Sequence, residues 1–250
     1  MNVRRTGRGK AVMMNMMLNG YQAILLTGVG GERATQISGA EEFCGNLRRL
    51  IGGLLTGSDV RSRCKVTLAG NNRDYPCQTM LRNIGNNYIF GLLEFTEDGN
   101  TFDMNRGENV VVKLPVKGHI YNVRERKYLG SGDEIRLKLV PAWGYLYAVL
   151  QDRITGVEID APATVRPGNG IKIAFRAVAE KGVPGAQTFH ISLIRPDGKS
   201  PAMYRSNVFS DTGKGEISLQ TACNDPAGKW TLRVVNVNSG TAAEKAIVLQ

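Results

Sequence analysis

The chain has 250 residues, is 42% hydrophobic and carries a formal net charge of +10, so it can bury a sizeable core and accommodates one to three domains. The charge is spread evenly, at +3 for residues 1–60, +4 for 61–153 and +3 for 154–250; with no basic stripe interleaved with aromatics, nucleic-acid binding is set aside. The four cysteines, Cys44, Cys64, Cys77 and Cys223, include no C-x-x-C and have no neighbouring histidine, which excludes a zinc site of the usual spacing and gives no reason to expect a metal or cofactor.

The first element is an apolar run. From Ala11 to Leu18 only Asn15 is polar, and such a run after a Gly-rich basic turn reads as a strand covered on both faces, expected here as a central parallel strand. It is too short for a membrane span, and no signal-peptide cleavage site follows it. A native N-terminal strand with a Met-rich core face is the alternative. The following segment, Ala23-Ile24-Leu25-Leu26-Thr27-Gly28-Val29-Gly30-Gly31, has the outline of a phosphate loop but lacks the Gly-Lys-Ser/Thr ending, so a connection is expected. Ser38-Gly39-Ala40-Glu41 has capping-box form, and Phe43, Leu47, Leu50, Ile51, Leu54 and Leu55 keep one helical face, with Gly57 as the stop.

From Cys64 onward the hydrophobic period becomes two. Strands are expected at 65–69, 78–83, 88–95, 109–114, 119–124, 134–140 and 144–150, separated by turns such as Gly85-Asn86-Asn87 and Asp98-Gly99-Asn100. Cys64 and Cys77 are placed either to bridge a hairpin or to lie as buried thiols. Residues 155–163 read as a linker, punctuated by Pro162 and Pro167. Beyond it Ile171, Ile173 and Phe175 alternate, as do Phe189, Ile191 and Leu193, and Trp230, Leu232 and Val234. Turns fall at Pro184-Gly185, Pro196-Asp197-Gly198, Gly213-Lys214-Gly215 and Pro226-Ala227-Gly228. Trp230 is expected in the core.

The expected fold is therefore mainly β: two consecutive antiparallel β-sandwiches, 61–153 and 154–250, preceded by a β-α piece, 1–60. Tyr121, Tyr128, Trp143, Tyr145 and Tyr147 are candidates for a sugar-stacking platform as well as for core and cross-strand pairs. Trp143 leads because Pro141 and Gly144 place it near a loop, with Tyr145 beside it. No residue is expected to be catalytic: His119 and His190 sit inside strands, and neither Glu41-Glu42 nor Glu94 with Glu97 has a setting that predicts raised acidity.

A resemblance sharpens this picture. Gly7-Arg8-Gly9-Lys10-Ala11-Val12-Met13-Met14-Asn15, followed by Tyr21, resembles the segment that closes the amidotransferase-like, trimerisation-type domain of beta-galactosidase-like glycoside hydrolases, although Met16 stands where that family usually has an aromatic residue. His119-Ile120-Tyr121-Asn122-Val123-Arg124, Lys127-Tyr128-Leu129-Gly130 and Tyr145-Leu146-Tyr147-Ala148-Val149-Leu150 are similar to a series in the β-module of the same enzymes. The Pro196-Asp197-Gly198-Lys199 turn and the strand from Ala227 resemble bacterial immunoglobulin-like and macroglobulin-like modules, without the antibody-type Cys…Trp…Cys spacing. The resemblance implies non-catalytic accessory and assembly modules from the C-terminal part of a glycoside hydrolase, the chain being a fragment without the catalytic barrel. It implies an upstream catalytic domain or a homo-oligomer as partner, carbohydrate as a ligand, no cofactor, and a secreted or periplasmic parent. The alternative is a free-standing extracellular glycan-binding or adhesion protein with Ig-like domains.

Overall fold

The computed structural model describes residues 2–7, 9–13, 40–57, 63–75, 77–94 and 107–250, which divide into two compact units, one before Cys64 and one from Cys64 onward. The molecule is mainly β, built of antiparallel sheets in sandwich arrangement.

In the first unit β1 (Asn2–Thr6) pairs antiparallel with β2 (Gly9–Met13). The central parallel strand expected here is thus corrected for 9–13. Thr6 faces Gly9 across a two-residue loop, and Gly7, at φ 60°, supplies the positive φ that so tight a hairpin demands. Residues 14–18, the glycine-rich segment 23–31 and the Ser38 cap lie outside the described residues. Helix α1 (Ala40–Thr56) follows and stops at Gly57, whose N–H donates to the Gly53 carbonyl at 2.8 Å. On its expected apolar face Ile51 and Leu54 are half-buried while Leu50 and Leu55 are exposed.

The second unit opens with six strands: β3 (Lys65–Leu68), β4 (Gln78–Ile84), β5 (Asn87–Leu93), β6 (Glu108–Asn122), β7 (Lys127–Leu139) and β8 (Tyr145–Leu150). Their order is β3-β6-β8-β5-β4, with β7 on β6. The two strands expected at 109–114 and 119–124 are one. Pro115 lacks the N–H that a ladder needs, so pairing with β7 lapses between Lys113 and Gly118 and resumes in a shifted register, while the backbone stays extended. The long β6 thereby serves both halves of the sheet, meeting β3 through 110–113 and β8 through 119–122. Gly118 permits the crossing, because a Cβ there would lie 2.7 Å from the Leu150 carbonyl oxygen. Val66, Val110, Val112 and Leu139 pack with Phe90, Leu92, Ile120 and Val149 in one core.

A second sandwich follows: β9 (Ile154–Asp160), β10 (Thr164–Val165), β11 (Gly170–Ala179), β12 (Gln187–Ile194), β13 (Arg205–Ser210), β14 (Lys214–Gln220), β15 (Gly228–Asn236) and β16 (Ala242–Leu249). One sheet runs β14-β11-β9 and the other β10-β16-β15-β12-β13, with β10 parallel to β16. The expected linker at 155–163 is corrected: through Asp160 it is β9, paired with β11, and Ile154 and Val157 are buried. Its prolines punctuate only the short stretch after that strand. Ile171, Ile173, Phe175, Phe189, Ile191, Leu193, Trp230, Leu232 and Val234 are all buried, as their alternation requires.

The two sandwiches share this core, since Tyr121, Ala148 and Leu150 belong to it. The buried Asn87 side chain spans the junction: its Nδ2 donates to the carbonyls of Pro184 (3.2 Å) and Ala186 (3.0 Å), and its Oδ1 accepts from the Gln151 N–H (3.0 Å). The Tyr121 hydroxyl accepts the Ile154 N–H at 2.9 Å. Gly240, at φ 78°, lies so close to Arg126 that a Cβ would come within 2.5 Å of the arginine Cβ.

Candidate functional site

The loop between β7 and β8 carries Trp143, and its geometry follows from a chain of main-chain bonds. The Ala142 N–H donates to the Glu94 carbonyl at 2.9 Å, and the Trp143 N–H to the Val140 carbonyl at 3.2 Å. Ala142 adopts φ 60°, a left-handed conformation uncommon for a residue with a Cβ. The Tyr145 hydroxyl accepts the Val140 N–H (3.0 Å) and donates to the Lys138 carbonyl (2.8 Å). Tyr145 is thus a strut under the loop, whereas Trp143 is 39% exposed upon it. The Arg124 guanidinium lies 4.7 Å from the Trp143 ring centroid and donates to the Gly144 carbonyl, a cation–π arrangement that holds the indole in a fixed plane.

The other aromatic candidates separate. Tyr121 and Tyr147 are buried at 2% exposure and belong to the cores, and burial raises the pKa of both hydroxyls. Tyr128 is half-buried, 5.0 Å from the Tyr121 ring, with the Arg153 guanidinium over it at 4.9 Å and His119 Nδ1 at 2.9 Å from its hydroxyl. Tyr128 thus sits in a cluster at the sandwich junction, on a different strand from the Trp143 loop.

Two clusters escaped sequence reasoning. The Tyr75 hydroxyl donates to Glu94 Oε1 at 2.5 Å, while among the described residues the buried Glu94 Oε2 has no hydrogen-bond partner. Desolvation raises the Glu94 pKa, and Glu108 adds to the rise while the Tyr75 bond opposes it. Glu94 is thus a weaker acid than an ordinary carboxyl, a setting that its sequence neighbours do not announce; Glu97 and the Glu41 and Glu42 side chains lie outside the described residues. Cys77, nearby, is pushed up to about 11 by burial and by Glu94. Cys77 is a free, half-buried thiol and forms no bridge to the buried Cys64. The signal was two-sided and weak: Glu94 sits at the end of a strand, and its partner lies 19 residues upstream.

The second cluster closes one end of the second sandwich. Asp225, buried, accepts from the Tyr204 hydroxyl, from Arg195 Nη2 at 3.2 Å and from the Ala222 N–H at 2.8 Å. Tyr204 packs edge-on against Trp230 at 5.5 Å, and the Trp230 indole N–H donates to the Pro226 carbonyl at 3.0 Å. Burial, followed by the Asp225 bond, raises the Tyr204 pKa. Both Asp225 oxygens, the Tyr204 hydroxyl and the Trp230 indole N–H are bonded inside the protein, the pattern of a structural clamp. Among the described residues no group of three or more His, Cys, Asp or Glu side chains is placed to hold a metal ion, and no helix is long and apolar enough to cross a membrane.

No protein-family model matches the sequence, and no curated protein matches it. Among solved structures, weak neighbours are glycoside hydrolases. A beta-glycosidase from Bacteroides vulgatus is 16% identical, with 65% of this chain covering 24% of that one at a TM-score of 0.27. A glycosyl hydrolase family 2 member from Bacteroides cellulosilyticus is 10% identical over 66% of this chain and 26% of its own, at 0.24. The beta-glucuronidase 2 of Bacteroides uniformis is 9% identical over 76% and 32%, at 0.27. The chain spans about a quarter to a third of the length of these proteins.

Proposed function

We propose that this chain is the non-catalytic, C-terminal accessory and assembly region of a beta-galactosidase-like glycoside hydrolase, a fragment that lacks the catalytic barrel. The observation that carries the reading is the order of the family-like segments, residues 7–21 first and then 119–124, 127–130 and 145–150. The last three fall mainly on β6, β7 and β8, and β6 pairs with both of the others. We read the chain as three units, a β-α piece at 1–60 and sandwiches at 61–153 and 154–250. In the second sandwich, a three-stranded sheet opposite a five-stranded one whose first strand runs parallel to its neighbour supports an Ig-like assignment. Its role is to brace and space the enzyme: the sandwiches share a core and a bonded junction, as a spacer of fixed geometry needs. Retaining glycosidases need two carboxylates about 5–5.5 Å apart. The Glu94 carboxylate is instead bonded to Tyr75.

Reading the genomic DNA upstream of the Met1 codon tests this. An in-frame coding sequence containing a barrel with paired glutamates is the expected result, and an in-frame stop codon behind a ribosome-binding site would sink the reading. The second reading, a glycan-binding protein, is favoured by the exposed Trp143 on its braced loop. A glycan array decides it: binding lost in Trp143→Ala supports it, and no binding to any glycan removes it.

A further inference from the structure

Among the described residues, strand β13 is the outer strand of the five-stranded sheet, bonded to β12 on one side only. The direction of its main-chain groups follows from the neighbouring pairing. The Val237 N–H donates to the Thr188 carbonyl at 2.8 Å, on the β15 side of β12. In an antiparallel ladder alternate residues point to opposite sides, so Phe189 and Ile191 point to β13, where they face Val208 and Ser206. Arg205, Asn207 and Phe209 therefore present their main-chain groups to the open edge. The Arg205 N–H turns back to the Ala202 carbonyl. The Arg205 carbonyl and both groups of Asn207 and Phe209 are left for a partner.

The side chains of this strand are those of an edge left open. Phe209 is 54% exposed, and Met203, just before the strand, is 67% exposed. Edge strands are normally blunted by charge, proline or brevity, and the other edges of this sandwich are: β10 has two residues between Pro162 and Pro167, β9 carries Glu158 and Asp160, and β14 carries Lys214 and Glu216. Among the residues of β13, Arg205 alone is charged.

We infer that β13 is a self-association edge, at which two copies of this chain pair antiparallel about a two-fold axis through Asn207. The sequence 205–209 complements itself in this register. Asn207 exchanges both main-chain bonds with the partner's Asn207, and the Phe209 N–H meets the carbonyl of the partner's Arg205, and reciprocally. The half-buried Ser206 and Val208 stay on the inner face and the exposed residues on the outer one. Arg205, whose Nη2 donates to the Ser200 carbonyl of its own chain, comes opposite the partner's Phe209, so its methylene stem covers the exposed ring and its cation lies at the ring's edge. The two Arg205 side chains, four residues apart along the strand direction, stay about 13 Å from one another and do not repel strongly. The other five-residue register, centred on Val208, sets Asn207 opposite Phe209 and leaves both the cation and much of the ring uncovered. A second copy is the occupant that supplies the complementary cation, ring and amide together. The inference is independent of the hydrolase reading.

Sedimentation equilibrium of the 250-residue chain tests it. An interface this small predicts a dimer with a Kd of about 100 μM. Phe209→Lys sets lysine against the partner's Arg205 and should weaken association at least tenfold, with Trp230 fluorescence reporting that the sandwich is still folded. The double variant Arg205→Glu with Phe209→Lys restores opposite charges across the axis and should restore the dimer. A chain that stays monomeric up to about 500 μM, five times the Kd expected for so small a surface, overturns the inference. So does a dimer that Phe209→Lys leaves intact, or one that the double variant fails to restore.

Discussion

Asn87→Ala is the sharpest probe of the sandwich junction, because the three bonds it removes are not equivalent. The Pro184 carbonyl keeps a second donor, Gln187 Nε2 at 2.8 Å, and the Gln151 N–H belongs to an exposed residue that water reaches. The Ala186 carbonyl sits in a residue only 2% exposed and loses the Asn87 amide. Leaving one buried acceptor unmet costs about 1–3 kcal/mol, and the two replaceable bonds add about 1 kcal/mol together, so a loss of about 3 kcal/mol is expected. At a urea slope of about 2 kcal/mol/M this lowers the unfolding midpoint by about 1.5 M. The two tryptophans make the assay specific, since Trp143 lies in the first sandwich and Trp230 in the second. Single-tryptophan backgrounds, Trp143→Phe and Trp230→Phe, report each half separately. With a core shared across the junction, both reporters should shift together. A midpoint change below about 0.3 M, equivalent to less than one ordinary hydrogen bond, refutes the reasoning, as does a shift in one reporter alone.

Asp225→Ala removes the acceptor of the Tyr204 hydroxyl and of the Arg195 guanidinium and leaves the Ala222 N–H only the Tyr204 oxygen at 3.2 Å, and should cost about 3–5 kcal/mol; Tyr204→Phe, which leaves Asp225 two donors, should cost about 1 kcal/mol, both read by denaturant titration. Gly240→Ala places a Cβ into Arg126 at a positive φ and should lower the melting temperature by several degrees, about 1–3 kcal/mol, whereas Gly130→Ala, with open space around it, should cost only its φ strain. Glu94 has a folded pKa above its ordinary value of 4.5, so the folded state holds that proton more tightly than the unfolded chain does. Its contribution to stability therefore falls as pH rises from about 4.5 through the raised value. Glu94→Gln keeps an acceptor for Tyr75 and should flatten stability across that interval while raising it at neutral pH, as measured by urea midpoints from pH 4 to 8; a variant with the parent's pH profile contradicts the assignment.

Periodicity made most of the second sandwich legible. Ile171, Ile173 and Phe175 alternate because every second side chain of β11 must enter the core, and the same holds for β12 and β15. Length was harder to read. Pro115 and Gly118 look like a break between two strands, yet proline is compatible with extended backbone, and the interruption falls on the ladder and not on the chain direction. Likewise Pro162 and Pro167 suggested a linker, although Ile154 and Val157 of the edge strand β9 are buried in the core. In the site region, Trp143 on a loop was readable from Pro141 and Gly144, but the Arg124 stack above it joins residues 19 apart, and the Tyr75–Glu94 bond does the same. Local pattern carries no information about such pairings, which are set by strand order and register.

Only Gln151, Asp152 and Arg153 separate β8 from β9, and Tyr121 clasps the far end of that connection through the Ile154 N–H. Such a joint has no slack. Tension applied along the chain would pass from one sandwich to the other through the shared core before it could lengthen the connection. Pulled from its ends, this part of the molecule should yield in one event and not in two, so the pair behaves mechanically as one strut.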